Sequence, residues 1–192
     1  MARRTAPISM EYVILALLGE GPTHGYELHQ RLNQMPGISK IWNVKQALFY
    51  SKLERLEASG YIEQLPVKKE EGASARVVFQ LTDKGKQSLL DWISTPVRKA
   101  RDIRQVFLGK LIIARRFGHQ RAIDLIRQQR QINQGWYDHL LSEMPEPDEK
   151  TMDELFVHSY RQYRDLATLH WLDYLESQIR RIAGEGSPPA EN

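Results

Sequence analysis

Asn43-Val44-Lys45-Gln46-Ala47-Leu48-Phe49-Tyr50-Ser51-Lys52-Leu53-Glu54-Arg55-Leu56-Glu57-Ala58-Ser59-Gly60 reads as one helix with a marked start and a marked stop. Asn43 followed by Gln46 has the chemistry of a capping box, and Gly60 supplies the residue that leaves a helix at no steric cost. At 100° per residue Phe49, Leu53 and Leu56 fall in a narrow arc, the stripe that faces a core. The opposite arc holds Val44, Ala47, Leu48, Ser51 and Arg55, flanked by Lys45, Gln46, Tyr50 and Lys52. A solvent face with Ala47 and Leu48 side by side is odd for a helix that touches nothing. Against DNA, such side chains meet thymine methyl groups while Lys, Gln and Arg reach base edges or phosphates. The alternative is that Leu48 packs on another part of the protein.

Downstream lie two strand-like runs, Tyr61 to Val67 and Arg76 to Leu81, either side of the polar loop Lys68-Lys69-Glu70-Glu71-Gly72-Ala73-Ser74. Branched and aromatic residues flanking a Gly-containing loop predict a β-hairpin, and Pro66 makes the first run an edge strand or its end. Thr82 or Asp83 caps a further helix through Ile93, which Pro96 ends. Upstream, Ser9 to Leu18 predicts a buried helix stopped at Gly19. Gly21-Pro22 opens a turn, and Thr23 is the expected N-cap of a helix running to about Asn33. Met35-Pro36-Gly37-Ile38 then breaks that helix.

Three helices, a hairpin and another helix follow the order of a winged helix-turn-helix. In that arrangement the second helix braces the third, the third enters the major groove, and the hairpin tip lies on the phosphate backbone. The DNA-contact candidates are Lys45, Gln46, Leu48, Tyr50, Ser51, Lys52 and Arg55 on the helix, with Lys68, Lys69 and Arg76 in the wing. Lys68-Lys69-Glu70-Glu71 carries no net charge, so its lysines count only if the wing assignment holds. Arg3 and Arg4 read as a basic tail.

Beyond Pro96 the character changes to helix alone. Ile103 to Phe117 predicts one helix. Gln120 to Met144 predicts another, with Ala122, Ile126, Gln129, Trp136 and Leu140 along one side. Pro145-Glu146-Pro147-Asp148 is a hard break, and Lys150 to about Ile182, free of Gly and Pro, spans about 45 Å as a single helix. The expected fold is mainly α with a small β-hairpin: a winged helix-turn-helix over 1–95, a long α-helical dimerisation domain over 96–183, and a tail over 184–192. A lone long helix is marginal without a partner, and a dimer lets two reading helices reach half-sites about 34 Å apart.

Composition narrows the classes further. Residues 1–100 hold 14 Lys and Arg against 10 Asp and Glu, and residues 101–192 hold 13 against 14. The positive excess therefore lies in the first half, where a polyanionic partner would dock. There is no cysteine, which excludes disulfides and thiolate metal sites and fits a cytoplasmic protein. No apolar run approaches the roughly 18 residues of a membrane span. Tyr12 to Leu18, behind Arg3 and Arg4, has some likeness to a signal-peptide core, but a turn rather than a cleavage site follows it.

The opening Leu17-Leu18-Gly19-Glu20-Gly21-Pro22-Thr23-His24-Gly25-Tyr26-Glu27-Leu28 resembles that of PadR-family regulators, with their Gly-Pro-x-His-Gly-Tyr-Glu-Leu signature. The likeness continues through Trp42, Tyr50, Leu53, Leu56, Glu57 and Gly60 to Arg76-x-x-Phe79-x-Leu81-Thr82-x-x-Gly85, covering about residues 10–95. Phe79 stands where the family usually has Tyr. Gln46-Ala47-Leu48-Phe49 replaces the Pro-Gly-Gln that often precedes the Tyr of the third helix, so a base preference does not transfer. The helical remainder is more loosely similar to the subfamily that includes virulence activators. The resemblance implies a winged-helix DNA-binding domain, dimerisation through C-terminal helices and transcriptional control, often repression. It also implies release of DNA by a small aromatic molecule in some members.

The other chemistry-bearing residues form no recognisable set. The six histidines lack metal-ligand spacing, and neither a phosphate-binding Gly-rich loop nor a Gly-x-Ser-x-Gly elbow occurs. No enzyme activity, cofactor or metal is expected. Trp92, Trp136 and Trp171, with the C-terminal tyrosines, are candidates for a ligand pocket, against the commoner reading of core or dimer interface. Two other functions fit the same pattern: a winged-helix module for protein assembly, and a ligand-binding protein or enzyme built on the helical half.

Overall fold

The computed structural model describes residues 9–65 and 77–184. They form two compact units, residues 9–93 with 108–113 and residues 94–107 with 114–184.

The first unit is built around α1 (Ser9–Leu18), in which Met10 through Leu18 are all buried. β1 (Thr23–His24), α2 (Gly25–Gln34), a single turn α3 (Ile38–Ile41) and α4 (Gln46–Ala58) follow, then β2 (Ile62–Leu65), β3 (Val78–Leu81) and α5 (Asp83–Ser94). The strands form one antiparallel sheet in the order β1-β3-β2. Ile62 pairs with Leu81 and Leu65 with Val78, while Thr23 pairs with Phe79. The expected hairpin is present and gains a third strand. Leu28, Leu32, Ile38, Phe49, Leu53, Leu56, Leu89 and Ile93 join α1 in the core with almost no exposed surface. Each such side chain contributes about 1.5–3 kcal/mol.

Three local expectations give way to longer-range partners. Thr23 does not cap α2; its backbone pairs with β3, and its hydroxyl donates to Glu27 Oε2 at 2.8 Å. The cap position falls to His24, without a side-chain bond. Asn43 does not cap α4 either. The chain stays extended through Lys45 (φ −65°, ψ 146°) because the Val44 carbonyl accepts from His29 Nε2 at 2.9 Å and Asn33 Nδ2 at 3.3 Å. The Met35-to-Ile38 break holds an extra helical turn, α3, that local pattern does not announce.

The far end of α4 behaves as read. Gly60, at φ 72°, lets its own N–H reach Glu57 O at 2.8 Å and the Tyr61 N–H reach Leu56 O at 2.9 Å, the paired bonds of a Schellman stop. Thr82 caps α5, its hydroxyl accepting the Gly85 N–H at 3.1 Å.

The expected single helix over 103–117 starts differently: a 3-10 turn (Ala100–Asp102), a π turn (Ile103–Phe107), then α6 (Leu108–Arg116). In the second unit α7 (His119–Ser142) packs along α8 (Met152–Ile182). Ala122, Ile126 and Gln129 are buried on the α7 side named above, whereas Trp136 and Leu140 are half-buried. Gln129 is fully enclosed, its amide pairing with both backbone polar groups of Val97. Oε1 accepts the Val97 N–H at 2.8 Å, and Nε2 donates to Val97 O at 3.2 Å.

Candidate nucleic-acid interface

α4 divides cleanly into a packed face and an open one. Phe49, Leu53 and Leu56 are buried as the stripe requires. Lys45, Gln46, Ala47, Leu48 and Ser51 stand in solvent, with Leu48 48% exposed. Val44, expected on this open arc, is instead buried. Among the described residues, none covers Leu48.

Tyr50, Lys52 and Arg55 are half-buried and carry structural duties. Tyr50 meets Phe49 edge-on at 5.5 Å and lies against Gly25, where a Cβ would come within 3.1 Å of its ring. Arg55 Nη2 donates to Oε2 of Glu11, and Lys52 Nζ lies 3.9 Å from Oε1 of the same carboxylate. Glu11 has no exposed surface, so α1 holds α4 through a buried charge. Sequence reading missed this residue; the only signal was a lone acid opening an apolar run. Lys68, Lys69 and Arg76, like Arg3 and Arg4, lie outside the described residues.

Beside α4 is a groove of about 660 Å³ whose lining includes His24, Tyr26, Glu27, Tyr50, Val77 and Phe79. It joins the start of α2 to the base of the hairpin. Three consecutive residues of the His-Gly-Tyr motif border it.

Of the three tryptophans, Trp92 belongs to the first unit and Trp136 and Trp171 to the second. Trp92 is stacked on Tyr12 at 4.6 Å with an interplanar angle of 7°, and Lys110 Nζ lies 5.0 Å from its ring centre. That ammonium also donates to Trp92 O at 2.7 Å, and burial pushes its pKa down to about 8. Trp171 meets Phe107 edge-on at 6.0 Å, and Trp136 is half-buried on α7. All three are engaged in packing. Among the described residues no cluster of three His, Asp or Glu could hold a metal, and no helix is long and apolar enough to cross a membrane.

The second unit leaves a different surface open. Phe156, Tyr160, Tyr163, Ala167, His170 and Tyr174 of α8 are all exposed. At 100° per residue they share an arc of about 80°.

Residues 14–91 match the model of the Transcriptional regulator PadR-like family. Over 125 residues the chain is 27% identical to the Negative transcriptional regulator PadR of Bacillus subtilis (strain 168), covering 65% of this chain and 67% of that protein. Bacillus subtilis PadR in complex with operator DNA aligns over 88% of this chain and 98% of its own, at 22% identity and a TM-score of 0.42. A PadR-like transcriptional regulator from Bacillus cereus aligns over 90% and 99%, at 15% identity and a TM-score of 0.38.

Proposed function

We propose that this chain, whose residues 14–91 match the model of the PadR-like family of transcriptional regulators, represses transcription as a homodimer bound to double-stranded DNA. The observation that carries the reading is the open face of α4. Lys45, Gln46, Leu48 and Ser51 stand free on a helix whose other face is fully packed. A helix held this way suits the major groove. Leu48 meets a thymine methyl, Lys45, Gln46 and Ser51 reach base edges or phosphates, and Tyr50, Lys52 and Arg55 flank them. Lys68, Lys69 and Arg76 add phosphate contacts from the wing.

In this reading residues 1–95 bind DNA, 96–183 dimerise and 184–192 form a tail. The exposed aromatic stripe of α8 supports the dimer, since aromatic residues are enriched where chains meet. Repression proceeds by competition with RNA polymerase at a near-palindromic operator in the cytoplasm. The family resemblance supports release by a small aromatic effector, and no reaction is catalysed.

The test is binding of the purified protein to its own promoter fragment and to scrambled DNA across a salt series. Tighter binding to the promoter, falling steeply as salt rises, is expected, as is collapse of affinity in Lys45→Glu. Equal, weak binding to both DNAs, untouched by Lys45→Glu, would overturn the proposal.

A further inference from the structure

The groove at the start of α2 is aromatic at both floor and rim. A Cβ on Gly25 would meet the Tyr50 ring at 3.1 Å and the Phe79 ring at 3.6 Å, so the two rings converge on that glycine. Tyr26 stands at the rim, 61% exposed, and Val77 adds an exposed aliphatic wall. Apolar atoms make up most of the surface, and about 660 Å³ lies within the range of pockets that hold small organic molecules.

One charge interrupts this lining. Glu27 brings a carboxylate, and no Lys or Arg lines the groove with it. Thr23 Oγ1 donates to its Oε2 at 2.8 Å, which fixes the group from the start of the sheet. Two other acids of the unit, Glu11 and Glu20, hold Arg55 and Arg31. Glu27 has no such cation among the described residues. The remaining polar groups are engaged with one another: His24 Nδ1 donates to Val77 O at 3.2 Å, and Gln30 Nε2 donates to Tyr26 Oη at 3.0 Å.

Aromatic rings and an unpaired carboxylate select the same ligand class. The face of an aromatic ring is electronegative and attracts a cation, quaternary ammonium groups above all. An anion would meet Glu27 with no basic residue to offset it, and a neutral ligand would leave that charge unused. We propose that the groove binds a small organic cation, its aromatic body over Gly25 and its ammonium group toward Glu27. The seat lies wholly within the first unit and holds whether or not α4 reads DNA. Since Tyr50 is part of α4, the bound cation would rest against the flank of that helix.

The experiment is titration of the full chain, labelled with nitrogen-15, with benzyltrimethylammonium, followed through backbone amide shifts. Benzyl alcohol serves as the neutral control and 3-phenylpropionate as the anionic one. The cation should give saturable shifts at Gly25, Tyr26 and Tyr50, bind about tenfold more tightly than the alcohol, and find no counterpart in the carboxylate. Glu27→Gln and Tyr26→Ala should each weaken the cation about three- to fivefold, and Glu27→Gln should leave the alcohol unaffected. Both side chains are exposed, and unchanged melting curves confirm that the variants fold. Equal affinity for cation and alcohol would overturn the proposal and leave a merely apolar cleft. Cation binding indifferent to Glu27→Gln, saturable shifts confined to α8, or no saturable shift at all would overturn it as well.

Discussion

Arg55 on α4 donates its Nη2 to the Oε2 of Glu11 on α1, and that carboxylate has no exposed surface. The partners lie 44 residues apart, so this pair joins the first helix of the unit to the one that carries the open face. Glu11 also attracts Lys52 at 3.9 Å. Two of the helix's cations are thereby oriented from below.

Removing the carboxylate should therefore cost more than a surface charge does. Glu11→Ala leaves two cations facing a closed space, and breaking a buried pair from one side costs about 3–5 kcal/mol. Arg55 is partly solvated, so the lower end is expected. Urea denaturation should show an earlier midpoint with an unchanged slope. A loss below about 1 kcal/mol would mean that the pair behaves as a surface bridge.

Lys110 predicts a pH dependence of opposite sense to the usual salt-bridged lysine. Its pKa is lowered by burial from 10.5 to about 8 in the folded protein. Between those values the unfolded chain holds the proton and the folded one has released it, so stability rises with pH across that window. The slope is at most about 1.4 kcal/mol per pH unit. Stability of wild type minus that of Lys110→Met should climb from pH 7.5 to 9.5. A flat difference would show that the amine stays charged in the folded state.

Two glycine-to-alanine changes should act in opposite directions. A Cβ on Gly85 would sit 2.1 Å from the Tyr61 carbonyl oxygen, which is backbone and cannot swing away. Gly85→Ala should cost about 3 kcal/mol, the upper part of the range for overpacking. A Cβ on Gly135, inside α7, meets nothing within 4 Å. Gly135→Ala should raise stability by about 0.5–1 kcal/mol through helix propensity. Thermal melting of the two variants reads both signs.

The α8 stripe predicts where self-association can be broken. Tyr160→Glu and Tyr163→Glu place charges on an exposed face and should leave the helix content unaltered. In sedimentation runs they should shift the chain toward monomer, and DNA affinity should fall with it. A dimer that survives both changes would locate the interface elsewhere.

Much of the first unit was legible because its signals are local. Phe49, Leu53 and Leu56 at helical spacing, Gly60 after them and the alternating runs around 61–81 each specify structure within a few residues. The errors share one cause. Thr23 and Asn43 have the chemistry of caps, but Phe79 recruits the first into a sheet, and His29 and Asn33 hold the chain next to the second. Val44 looked like a groove-facing residue for the same reason. Glu11 and Lys110 were invisible as site-shaping groups, since a buried charge is recognised only by what surrounds it. The open face of α4 could be read because its angles follow from the helix alone.

The double hold on the Val44 carbonyl separates grammar from vocabulary. His29 and Asn33 hold the chain just before α4, without using any side chain from positions 45 to 48. Those four residues all stand in solvent. If α4 reads DNA as proposed, substitutions there would change which bases are preferred while the helix keeps its entry point and its packed face. Target sites can therefore drift or be redesigned on an unchanged frame, one exposed letter at a time.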